Sequence, residues 1–146
     1  MKLLTLILLA LSFNLFAHEG GHGELKEGGS YGGITAPVFL DKDMKDASTA
    51  KIQYKAELVR TFSGKLSLYL FDTKMNRLDP KNFSAPKANL EVKKKGKFTY
   101  FGEFKFEAHG THFMAQLPKI EYKPFNIDVR FEKDGKTYFI GFSNLD

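Results

Sequence analysis

With 146 residues the chain has the length of one domain, and its 42% hydrophobic content, including 15 Phe and 6 Tyr, supplies one buried core and excludes a wholly disordered chain. Cysteine is absent, which excludes disulfides, thiolate metal sites, a cysteine nucleophile and a lipidated N-terminal cysteine. The net charge of +5 is spread along alternating positions, apart from Lys93-Lys94-Lys95-Gly96-Lys97; that cluster straddles a glycine and reads as a solvated hairpin tip, so nucleic acid is not expected as a partner.

Met1-Lys2 is a short positive start, Leu3 to Leu11 is nearly continuous apolar chain, and the segment ends at Leu15-Phe16-Ala17. These features predict a secretory signal peptide over 1–17, too short to anchor in a bilayer. No second apolar run follows, so the mature chain is expected to lack a membrane span and to reside in the periplasm or outside the cell. Cleavage after Ala17 makes His18 the N-terminal residue, and a free α-amino group beside a histidine ring nitrogen is a chelate suited to copper.

The segment 18–29 holds His18, Glu19 and His22 among glycines, a composition that cannot pack a core and predicts a flexible tract. A short His-rich tract with carboxylates suits metal capture. Residues 30–146 then read as one β domain. Ser30 to Val38 is expected as an edge strand ended by Pro37. Asp41, Asp43 and Asp46 form a charged loop that lacks the turn glycine and bidentate Glu of a calcium site.

Period-two alternation follows. Ile52, Tyr54, Ala56 and Leu58 share one face, and Leu66, Leu68 and Leu70 face inward with Ser67, Tyr69 and Phe71 outward. Ala88, Leu90 and Val92 lead to the lysine tip. From Lys97 to Glu107 one long strand is expected, with Phe98, Tyr100, Phe104 and Phe106 inward and a bend at Gly102. Ala108-His109-Gly110 turns the chain, after which Phe113, Ala115 and Leu117 point inward and His112, Met114 and Gln116 outward. Phe125, Ile127, Val129 and Phe131, the Asp134-Gly135 hairpin turn, and Tyr138, Ile140 and Phe142 close the domain. With no helical periodicity, seven or eight short strands predict an antiparallel, immunoglobulin-like sandwich.

His112 and Met114, two apart on one strand face, stand roughly 7 Å apart at Cα. His109 at the preceding turn can fold over the same end. Imidazole with thioether suits copper(I), and histidines alone suit copper(II) or zinc. The bland reading of the same residues is a turn histidine at His109, where unusual backbone angles are tolerated, and a strand-starting His112 bonded to a backbone carbonyl.

Gly32-Gly33, Tyr54-Lys-Ala-Glu-Leu58, Leu66-Ser-Leu-Tyr-Leu-Phe-Asp72, His112-Phe-Met-Ala-Gln-Leu-Pro118 and the Asp134-Gly135 hairpin occur in an order that resembles small periplasmic immunoglobulin-like domains associated with heavy-metal efflux adaptor and copper-handling proteins. The resemblance covers most of the mature chain through short hydrophobic motifs, and it implies that fold and a metal-related envelope context. The chain lacks the adaptor's helical hairpin and membrane-fusion parts, so a free-standing domain is implied.

Two functions are therefore expected in competition. In the first, His18, His22, His109 and His112, with Met114 and Glu19, bind copper or zinc, and the protein is a chaperone, buffer or accessory to a metal-efflux or other envelope protein. In the second, a non-catalytic interaction or structural module presents Tyr69, Phe71, Phe101 and Phe139 to a partner. Catalysis is not expected, because Gly-x-Ser-x-Gly, His-Glu-x-x-His and phosphate-cradling glycine loops are all missing.

Overall fold

The computed structural model describes residues 29–146. The leader, His18, Glu19 and His22 lie outside the described residues.

Among the described residues nine strands form one antiparallel sheet: β1 (Ile34–Leu40), β2 (Tyr54–Arg60), β3 (Lys65–Phe71), β4 (Lys87–Lys94), β5 (Lys97–Lys105), β6 (Glu107–His109), β7 (His112–Gln116), β8 (Phe125–Lys133) and β9 (Lys136–Leu145). Their spatial order is β5-β4-β8-β9-β1-β2-β3-β7-β6. The two edge strands, β5 and β6, are consecutive in the chain and joined at Phe106, so the sheet curls until its edges meet. The expected long strand over 97–107 is thus divided. Phe106 is fully buried at the crossing, with its N–H donating to the Pro86 carbonyl at 2.9 Å.

Alternation builds the core. Leu66, Leu68 and Leu70 of β3, Ala88, Leu90 and Val92 of β4, Phe113 of β7, and Phe125, Ile127, Val129 and Phe131 of β8 all enter one buried cluster. The two halves of the curled sheet enclose that cluster between them, since a sheet with one apolar face must bury it against another layer.

β1 is central, contrary to the edge position expected from Pro37. Residues Ile34 to Val38 pair with β2, and Phe39 and Leu40 pair with β9. The Val38 carbonyl accepts from Gln53 N–H, so by alternation the Pro37 nitrogen faces the β9 side, where pairing begins only at Phe39. The missing donor therefore falls where no ladder bond is needed, and the proline neither ends the strand nor confines it to an edge.

A bulge also revises β5. Leu90 pairs with Gly102 but Glu91 pairs with Tyr100, leaving Phe101 as the extra residue. The side-chain register flips there. Thr99 takes the same face as its partner Val92, and Phe98 and Tyr100, expected inside, lie on the outer face with Lys93 and Glu91.

Candidate functional site around His109 and His112

The outer face of the half built from β1, β2, β3, β7 and β6 carries one polar row. Thr35 pairs with Glu57, and Glu57 pairs with Tyr69. The next position of that ladder sets Tyr69 beside His112, and His112 pairs with His109 across the β6–β7 turn. Antiparallel registry turns residues distant in sequence into neighbours about 4.8 Å apart, strand by strand.

Aromatic stacking fixes this row. The His112 ring stacks on Tyr69 at 4.8 Å between centroids, and Tyr31 stacks on the other side of Tyr69 at 4.0 Å. His109 approaches His112 at 5.6 Å with its ring tilted by 55°. Arg77 donates to the Tyr31 hydroxyl at 2.9 Å. The turn that presents Arg77 is organised by Asp72, whose carboxylate accepts from the backbone N–H groups of Lys74 and Asn76 and from the Asn76 side chain. Those bonds, the Asn76 side chain foremost, hold the Asp72 carboxyl below its ordinary range.

His112 is half-buried, and its Nδ1 is shut from solvent with no hydrogen-bond partner. Burial, followed by the neighbouring His109 and Arg77 charges, lowers its pKa below the ordinary histidine value, so the imidazole is neutral at pH 7. A neutral ring is the form that ligates metals. His109 is exposed at the turn, where Gly110 takes a positive φ of 60°. Met114 is half-buried on the same face, paired across the strands with Ser67 and Glu107. Among the described residues, no three His, Cys, Asp or Glu side chains converge on one point. The candidate site within them is therefore His109 and His112 flanked by Met114.

Glu57 is the residue that alternation alone misplaces. Its parity puts it outside with the lysines, yet it is fully buried. The cover is the strap Gly29–Gly33: Glu57 Oε1 accepts from Tyr31 N–H and from Gly33 N–H, both at 2.8 Å. A Cβ at Gly29 would meet the Glu57 carboxyl carbon at 2.1 Å, and one at Gly33 would meet the Leu58 carbonyl oxygen at 2.4 Å. Only glycine permits so close an approach at these two points. The glycines flanking Tyr31 were the available signal, and they were readable only together with the β2 register. As a result, the described chain begins on the face that carries His112.

The four rings expected to meet a partner do not form one surface. Tyr69 is half-buried between Tyr31 and His112. Phe71 is 2% exposed, beneath Tyr31 at 6.4 Å and bridged to Arg77. Phe139 is 7% exposed, with the Arg130 guanidinium 4.9 Å over its ring and Asp41 holding that guanidinium at 2.9 Å. Parity set these two correctly off the main core, but loops and long side chains cover them. Phe101 alone is exposed, at the β5 bulge beside Lys94. The chain matches no protein-family model, and no curated protein or solved structure is significantly similar to it.

Proposed function

We propose that this protein is a periplasmic or secreted metal-binding domain, immunoglobulin-like in fold, that takes copper or zinc and acts as a chaperone, buffer or efflux accessory and not as an enzyme. The observation that carries this reading is the neutral His112 ring, whose Nδ1 is enclosed and unpartnered, with the tilted His109 ring 5.6 Å away between centroids. A buried ring nitrogen without a hydrogen bond is a standing cost that a bound ion relieves. Two imidazoles so placed can share one ion at about 2.0–2.1 Å each, and the Met114 thioether beside them favours copper(I).

Two protein ligands leave an ion undersupplied, and the N-terminal tract is the source of the rest in this reading. Glu57, where the strap is held, lies two strands from His112, roughly 9–10 Å across the sheet. The seven residues from His22 to Gly29 extend to roughly 25 Å at most. His22 is therefore within covalent reach of His112, and His18 and Glu19 with it.

Titration of the chain from His18 onward with copper(I), copper(II) and zinc tests the proposal. At least one ion should bind with a Kd below about 10 μM, on the scale where 1 μM is roughly −8 kcal/mol. His109→Ala with His112→Ala should abolish that binding, and His18→Ala with His22→Ala should weaken it. Unchanged affinity in the His109/His112 double variant refutes the site.

A further inference from the structure

The end of the sheet opposite the His109 turn gathers three connections. The Leu117 N–H donates to the Gly64 carbonyl at 2.9 Å, tying the β7–β8 connection (117–124) to the β2–β3 turn (61–64). The Lys93 N–H donates to the Pro124 carbonyl at 3.1 Å, tying the same connection to the β4–β5 tip. These three loops form one continuous end of the molecule.

That end is cationic and carries exposed rings. The tip contributes Lys93, Lys94, Lys95 and Lys97, and the connection adds Lys119 and Lys123, all exposed, against the single carboxylate Glu121 on these two loops. Phe62 projects from its tight turn with 114% relative exposure, so it touches almost nothing in its own chain. Tyr122 is 44% exposed, with Lys94 Nζ 4.5 Å from its ring centroid. Beside Phe62 runs an open groove whose lining includes Lys119, Ile120 and Lys123 of the connection that carries Tyr122.

One exposed ring is unremarkable in a soluble protein. Here two exposed rings stand on separate loops of one end, Tyr122 under Lys94 and Phe62 on a groove shared with Lys119 and Lys123. A protein partner would need a continuous apolar centre at such a surface, whereas a bilayer interface accepts separate rings at headgroup level while lysines reach the phosphates. We propose that this end docks onto an anionic lipid bilayer, with Phe62 and Tyr122 entering the headgroup layer and Lys94, Lys119 and Lys123 facing lipid phosphates. The inference is independent of metal binding, and it points the His109 turn away from the membrane. Among the described residues no helix is long and apolar enough to cross a membrane.

Vesicle co-sedimentation tests it, using the chain from His18 onward so that the leader's apolar run does not contribute. Vesicles of phosphatidylcholine alone are compared with vesicles containing 30% phosphatidylglycerol (roughly the anionic content that gives a strongly negative surface). Binding should require the anionic lipid and weaken at about 0.5 M salt, where the screening length falls to a few Å. Each lysine near the surface is worth about fivefold in affinity, so Lys94→Gln, Lys119→Gln and Lys123→Gln together should lower it on the order of a hundredfold. Phe62→Ser with Tyr122→Ser should lower it about three- to tenfold. Both sets alter exposed side chains, and a thermal melt confirms that each variant is folded. Equal binding to neutral vesicles, or undiminished binding in both folded variants, overturns the proposal. So does capture of an acidic protein through this end by a chain that binds neither vesicle.

Discussion

Replacing Glu57 by Ala should release the Gly29–Gly33 strap from the sheet. Glu57 Oε1 holds two backbone N–H groups at 2.8 Å. Bonds to a charged acceptor contribute about 1.5–3 kcal/mol each, roughly 3–6 kcal/mol gross for the pair. Against this stands the burial of a carboxylate, which costs several kcal/mol and is only partly offset because Oε2 has no partner. Lifting of the strap also lets the freed amides reach water, which caps the loss. The net destabilisation should be about 1–3 kcal/mol, and for a domain of this size that lowers the melting temperature by about 4–12 °C. Amide hydrogen exchange gives a sharper readout, because Tyr31 and Gly33 should lose protection while the β8 core keeps it. Glu57→Gln retains an acceptor at Oε1 and should cost less than about 1 kcal/mol. A Glu57→Ala protein that melts within about 1 °C of the parent, with both amides still protected, refutes the latch.

Acidification should weaken the metal-free fold through His112. Its folded pKa lies below 6.5, so the unfolded chain binds the proton first as pH falls. The His112 contribution is fully present above about pH 7.5 and is lost as pH drops through 6.5 toward the depressed value. Urea midpoints at pH 7.5 and 5.5 should therefore differ more in the parent than in His112→Asn, and equal differences would contradict the shift. Phe106→Ala should cost about 3–5 kcal/mol in chemical denaturation, because the ring is fully buried where the two sheet edges join; a loss below about 1 kcal/mol would mean that the join relaxes freely.

Much of the sheet was legible because a half-buried strand advertises its faces. Leu66, Leu68 and Leu70, the inward set of β8, and the outward placement of His112 with Met114 all follow from period two. What alternation cannot convey is which other chain segment lies on the outward face. Glu57 and Phe71 have the parity of surface residues and are buried because the strap and Tyr31 return over them. Phe139 has the same parity and is buried beneath Arg130. Nor does alternation survive a bulge: the extra residue at Phe101 reverses Phe98 and Tyr100. The pairing of His109 with His112 was readable from the intervening Gly110 turn. The contact of Tyr31 with Tyr69, and through it with His112, needed the register of four strands.

The position of β1 between β2 and β9 has a consequence for how the molecule is made. Phe39 and Leu40 pair with Phe139 and Tyr138, roughly a hundred residues later in the chain. Contacts of such sequence separation are slow to form, because a long loop must close before they contribute. A chain emerging from its N-terminus can pair β1 with β2 and β3 early, but the hydrogen-bonded connection between the two halves through β1 is made only when β9 has emerged. The seam between β1 and β9 can therefore close only after the last strand has been made, which leaves its completion to the end of folding.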